Sequence, residues 1–226
     1  MDIFTSLTAE EIAHSKRTAE ISRILAEHAD YDSAEVHEVY QAALLHDIGK
    51  TMIPVRIRCK SGSLSEVERS SMRKHTSIGH FLLLQTGTML GTSSVVALQH
   101  HERLDGSGYL GLQDAEIHPH AKIVAVADVF DALISPRPYK RPWDIRRVSD
   151  YLKSCAGVKL DGAIVRLLLD NLPQVLALYR DSTRITCKIR ISPIYTHRGR
   201  RETKLCCYRK NSISSVSYTH LRAHET

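Results

Sequence analysis

Apolar residues recur at helical spacing over most of the first 180 positions. Residues 8–29 predict an amphipathic helix carrying Ile12, Ile21, Ile24 and Leu25. Thr8 is its N-cap, and Glu11 three residues on completes a capping box. Asp30 and Asp32 mark a turn. A second helix runs from about Ser33 to Asp47 on Val36, Val39, Tyr40, Ala43 and Leu44, and Gly49 and Pro54 end it. Residues 50–63 read as an irregular segment. A third helix starts at Ser63 or Ser65, each followed three positions later by a glutamate, and continues through Val67, Met72, Ile78, Phe81 and Leu82 to about Gly87. A fourth covers Thr92 to His101. Residues 102–118 hold Gly106, Gly108 and Gly111 and little periodicity, so they form a loop. Pro119 opens a fifth helix through Leu133, and further helices lie near 144–154 and 161–180. No alternating β pattern appears before the tail. The expected fold is an all-α bundle of six to eight helices. In the tail, the alternation Ile185–Ile191 fits a strand, but no convincing partner follows it.

Composition sharpens this picture. The chain has 226 residues, 42% of them hydrophobic, enough for one full domain with a sizeable core. No run reaches the roughly 18 apolar residues of a membrane span. The best candidate, Ile123 to Ile134, is interrupted by Asp128 and Asp131. No basic segment followed by an apolar run opens the chain, so the expectation is a cytoplasmic protein with no membrane partner. The net charge of +6 is unevenly placed. Residues 182–226 hold 10 Lys+Arg against 2 Asp+Glu, whereas 1–181 hold 21 against 23. The basic character belongs to the tail, so no nucleic-acid partner is expected. Cys187, Cys206 and Cys207 also lie there, and no CxxC spacing exists, which fits reduced thiols. The expected organisation is a folded domain over 1–181 and a basic tail over 182–226, the latter disordered or an artefact at the end of the reading frame.

Histidine carries the chemistry. Thirteen are present, and several sit among carboxylates. His46-Asp47 can both reach one cation from a helix end, and Asp47 could bridge two. His100-His101 is a second adjacent pair. His75 lies on the third helix, and His14 lies on the first, four residues after Glu10 on the same face. Asp128 interrupts an apolar helix, an expensive position unless it is paired or metal-bound. His28, His37, His80, His118 and His120 read as ordinary solvated or satisfied side chains. Taken singly, each of the other residues would read the same way. Eight of them on five helices read as a metal site in a bundle core. No cysteine is among these candidates, which argues against a structural zinc site. Imidazole with carboxylate suits iron, manganese, zinc or nickel, and a bridged pair of such ions hydrolyses phosphoryl substrates.

The motifs His46-Asp47-Ile48-Gly49-Lys50, His75-Thr76-Ser77-Ile78-Gly79 and His100-His101-Glu102-Arg103-Leu104-Asp105-Gly106-Ser107-Gly108-Tyr109 resemble the HD-GYP branch of the HD superfamily. Asp128 in Ala127–Leu133, and Arg137-Pro138-Tyr139-Lys140, continue the likeness, which spans about residues 8–175. The resemblance implies hydrolysis of cyclic di-GMP to pGpG, in some members onward to GMP. It implies one metal on His14, His46, Asp47 and Asp128. A second would sit on Asp47, His75, His100 and His101, and Glu10 matches the position that lets some members hold a third. Iron or manganese would be the cofactor. Asp47 and Lys50 are the implied catalytic pair. Substrate contacts would come from Lys50, Asp105, Gly106, Gly108, Tyr109, Arg137 and Lys140. GGDEF-type cyclases or a sensory domain are the implied protein partners, and with no sensory module before Glu10 the chain reads as a stand-alone domain or a fragment. Gly108-Tyr109-Leu110 stands where the family has Gly-Tyr-Pro, which frees a backbone N–H and predicts a more mobile loop. Two rival readings use the same residues: a hydrolase of another cyclic dinucleotide or nucleotide, and a non-catalytic module that binds a cyclic dinucleotide or a GGDEF domain.

Overall fold

The computed structural model describes residues 6–85, 91–136, 142–180, 188–195 and 201–208. Contacts divide the chain into two units, residues 1–182 and 183–226. The first is all-helical. Among the described residues it holds α1 (Ala9–His28), α2 (Ser33–Leu45), α3 (Val55–Arg58), α4 (Glu66–Arg73), α5 (His75–Leu84), α6 (Gly91–Gln99), α7 (Pro119–Ile134), α8 (Ile145–Cys155), α9 (Gly162–Asp170) and α10 (Leu172–Arg180). No helix among them is long and apolar enough to cross a membrane.

Local signals set most boundaries. Thr8 Oγ1 accepts from Glu11 N at 3.2 Å, and Glu11 Oε2 accepts from Thr8 N at 2.8 Å, so α1 begins with a reciprocal capping box. Ser65 and Glu68 do the same for α4, which settles the start of that helix on Ser65. Pro119 opens α7, where the imidazole of His118 accepts from His120 N at 3.1 Å. α1 and α7 pack together with α2, α9 and α10 around one core. Ile21, Ile24, Leu25, Val39, Ile123, Val126, Phe130, Val148, Leu152 and Leu168 are buried in it.

Three helices are shorter than their periodicity suggests. α2 ends at Leu45 rather than Asp47, and the chain tightens into a 3-10 turn, Ile48–Met52. Gly49 in that turn backs directly onto α5: a Cβ there would stand 1.9 Å from the His75 carbonyl oxygen. The expected third helix is two helices. His75 Nδ1 donates to Met72 O at 2.6 Å and Thr76 Oγ1 to Arg73 O at 3.1 Å, so side chains take the carbonyls that would have continued α4. The expected end near Gly87 lies outside the described residues. The helix expected over 161–180 breaks at Asn171, because Pro173 in the first turn of α10 brings no N–H.

The second unit holds β1 (Lys188–Tyr195) and β2 (Arg201–Tyr208), an antiparallel pair with Ile189 opposite Cys207 and Tyr195 opposite Arg201. The strand expected around Ile185–Ile191 therefore has a partner. Arg201, Glu202 and Lys204 break its apolar pattern, so the sequence hides it, while a hairpin needs only proximity along the chain.

Candidate metal centre

The helices that carry the histidines converge at one buried point. α1 supplies His14, and α7 supplies Asp128. His46 and Asp47 come from the junction of α2 with the 3-10 turn, His75 from the start of α5, and His100 and His101 from just beyond α6. His46 and His100 are fully buried, and His75 and Asp47 nearly so. Three sets of donor atoms lie within 4.8 Å of one another: His14, His46 and Asp128; His75, His100 and His101; and His46, Asp47 and His100. Asp47 stands between the first two sets. Its Oδ2 lies 3.2 Å from His46 Nε2 and 3.7 Å from His14 Nε2, and its Oδ1 lies 3.3 Å from His75 Nε2 and 3.8 Å from His100 Nε2.

Backbone carbonyls fix which ring nitrogen faces the centre. A carbonyl only accepts, so a nitrogen bonded to it carries the proton. His46 Nδ1 donates to Ala43 O at 2.6 Å, His75 Nδ1 to Met72 O at 2.6 Å, and His100 Nδ1 to Ala97 O at 3.0 Å. Each Nε2 then presents a lone pair. Burial holds His75 and His100 below the usual histidine pKa, and burial also brings His101 down to about 3 despite the nearby Asp128 carboxylate. These rings are neutral at pH 7. His75 Nε2 and His100 Nε2 thus meet lone pair to lone pair at 3.3 Å. His46 Nε2 and Asp47 Oδ1 are buried with no hydrogen-bond partner. Orphaned acceptors aimed at one point cost free energy unless a cation serves them, and the donor set, imidazole with carboxylate and no thiolate, fits a divalent transition metal.

Residues 1–164 match the HD domain family. The chain belongs to that family, in its HD-GYP branch. It is 40% identical over 165 residues to the cyclic di-GMP phosphodiesterase response regulator RpfG of Xanthomonas campestris, covering 72% of this chain and 44% of the relative. It is 34% identical over 168 residues to the 3'3'-cGAMP-specific phosphodiesterase 2 of Vibrio cholerae, covering 74% and 32%. The chain spans less than half the length of either relative. Among solved structures, the HDG"Y"P protein Bd1817 of Bdellovibrio bacteriovorus superposes with a TM-score of 0.59 at 23% identity, over 71% of this chain and 51% of that one, a likeness of fold.

Around this HD-domain cluster the remaining expected residues divide. Lys50 Nζ donates to Asp47 Oδ2 at 2.5 Å, one turn from the bridge position. The Tyr109 ring lies over His101 at 4.7 Å between centroids and edge-on to His75 at 6.4 Å, so it walls the cluster. Burial pushes its hydroxyl pKa up, against the lowering charges of Arg73, Lys50 and Arg103. Glu10 is exposed on α1 and belongs to none of the three donor sets. Asp105 Oδ1 accepts from Ser107 N at 3.0 Å and from Ser107 Oγ at 2.6 Å, which makes a tight turn in the loop. Arg137 and Lys140 lie outside the described residues.

Three features escaped the sequence reading. Glu102 is buried, and its carboxylate accepts from Leu110 N at 2.9 Å and Leu112 N at 3.0 Å, pinning the glycine loop. The N–H freed by leucine at position 110 is therefore used, and it ties the loop down at the point where mobility was expected. Gly108 is glycine because a Cβ would stand 2.5 Å from Glu102 Cα, and Gly106 adopts a φ of +73°, which favours glycine. Arg73 places its guanidinium over the Tyr109 ring at 5.4 Å, adding charge at the mouth of the site. Asp131 is the third. His28, His37 and His80 bond Gln174, Gln41 and the Ser94 carbonyl, the ordinary roles expected of them.

Proposed function

We propose that this HD-GYP domain is a metal-dependent phosphodiesterase that hydrolyses cyclic di-GMP to pGpG, with GMP as a further product. The observation that carries the reading is the pair of donor sets on either side of Asp47, each with buried lone pairs directed inward. His14, His46, Asp47 and Asp128 would hold one divalent cation, and Asp47, His75, His100 and His101 a second. Iron or manganese suits these donors; Glu10, one turn before His14, matches the position that lets some family members hold a third ion, and two are proposed for this chain. When bound, the cations neutralise non-bridging phosphate oxygens and lower the pKa of an attacking water.

The protein's own groups do the rest. Asp47 would serve both ions and is itself oriented by Lys50. Lys50 faces the cluster and adds positive charge where negative charge develops on the phosphoryl oxygens. Tyr109 offers a ring for a guanine base, and Arg137 and Lys140 would grip the phosphates. Asp105, Gly106 and Gly108 shape the loop beside that ring. We place the reaction in the cytoplasm, with GGDEF-type cyclases or a sensory domain as protein partners.

The match to a 3'3'-cGAMP-specific relative favours one second reading, in which the mixed dinucleotide is the substrate. Turnover of cyclic di-GMP and 3'3'-cGAMP, compared by chromatography at equal concentration, separates the two. Faster conversion of cyclic di-GMP to pGpG is expected. Faster conversion of 3'3'-cGAMP would transfer the assignment to that substrate.

A further inference from the structure

Asp131 is fully buried on α7, one turn beyond Asp128, and its carboxylate is saturated. Oδ1 accepts from Arg17 Nε at 2.6 Å, Tyr179 Oη at 2.6 Å and Ser135 Oγ at 3.1 Å. Oδ2 accepts from Arg17 Nη2 at 3.0 Å and His14 Nδ1 at 2.7 Å. With every lone pair engaged, Asp131 has none left for a cation. It does something else: it accepts the Nδ1–H hydrogen bond of His14 and so aims Nε2 at Asp128, 3.1 Å away. His46, His75 and His100 are oriented by backbone carbonyls; His14 is oriented by a charged carboxylate. Of these four histidines, His14 alone is held from behind by a side-chain carboxylate.

We infer that Asp131 is the positioning residue of the His14 half of the centre, and that Arg17 on α1 and Tyr179 on α10 hold it in place. A carboxylate behind an imidazole raises its basicity and fixes its ring, and loss of such a partner weakens metal binding by about ten- to a hundredfold. The effect is local to one half, because no donor of the His75, His100 and His101 set bonds to Asp131 among the described residues. Tyr179 lies next to the last residue of α10, so that helix reaches Asp131 through the Tyr179 hydroxyl. The inference rests on the two-ion reading above.

The test uses the full chain as wild type, Asp131→Asn and Tyr179→Phe, each stripped with chelator and titrated with Mn2+ by equilibrium dialysis. Thermal melts of the metal-free proteins run alongside. Wild type is expected to bind two ions. Asp131→Asn should keep one binding step and weaken the other by about ten- to a hundredfold. Tyr179→Phe, which loses one hydrogen bond, should lower the melting temperature modestly and weaken the same step by about two- to tenfold, leaving the other step unchanged. If Asp131→Asn fails to fold, Tyr179→Phe decides the matter. Unchanged Mn2+ affinity in Tyr179→Phe, or equal weakening of both steps in proportion to lost stability, would overturn the positioning role. A wild type that binds no Mn2+ would instead overturn the metal reading beneath it.

Discussion

Gly49→Ala should damage one half of the centre more than the other. Gly49 sits in the 3-10 turn directly after Asp47, with its α-carbon against α5. A Cβ there would stand 1.9 Å from His75 O and 2.5 Å from Gly79 N, about 1.5 Å short of ordinary contact with the carbonyl. Both neighbours are backbone, so no side chain can swing away; α5 and the turn must separate. His75 Nε2 now lies 3.3 Å from Asp47 Oδ1, and a separation of about that size breaks a shared ligand geometry. Overpacking of this kind costs about 1–3 kcal/mol, a melting decrease of roughly 2–12 °C for a domain of this size. Mn2+ titration should show the step assigned to His75, His100 and His101 weakened more than the step assigned to His14, His46 and Asp128. Gly62→Ala, which meets nothing within 4 Å, is the control and should change neither quantity. A Gly49→Ala protein with wild-type melting and two unchanged binding steps would refute the close-approach argument.

Other substitutions probe the remaining parts. Asp47→Ala should abolish turnover and lower the occupancy of both ions, read by metal analysis; full occupancy would remove Asp47 from the bridge. Leu110→Pro removes the N–H that bonds Glu102 and should cost about 1–3 kcal/mol, read as lower melting with metal content intact; an unchanged melt would mean that this bond holds nothing. Arg137→Ala and Lys140→Ala should weaken cyclic di-GMP binding with metal content unchanged, each charged contact being worth on the order of 1.5–3 kcal/mol; equal affinity in both would exclude phosphate contact. Deleting residues 182–226 should leave turnover and melting close to those of the full chain; a large loss in either would show that the tail supports the helical domain.

Much of the site was legible because metal donors are chemically conspicuous. His46-Asp47, His100-His101 and an aspartate inside an apolar helix stand out in any sequence, and the capping pairs Thr8–Glu11 and Ser65–Glu68 announce their helix starts. What stayed hidden depends on contacts between distant segments. Asp131 looks like a second interruption in an apolar run, and its partners Arg17 and Tyr179 lie 114 and 48 positions away. Gly49 reads as a helix stop, yet its reason is α5 lying against it. The break between α4 and α5 has no glycine or proline to mark it; it arises because His75 and Thr76 take the carbonyls of Met72 and Arg73. Leu110 read as a loosened loop because the acceptor for its N–H, Glu102, becomes visible only once the loop folds back.

The most direct test pairs metal content with product. Protein purified without air is analysed for bound iron and manganese while the same sample is incubated with cyclic di-GMP and resolved by chromatography. Two ions per chain and release of pGpG, both lost on chelation and both restored by adding metal back, are the expected result. A chain that holds two ions and leaves cyclic di-GMP intact, or one that cleaves it with no metal bound, would contradict the proposed function.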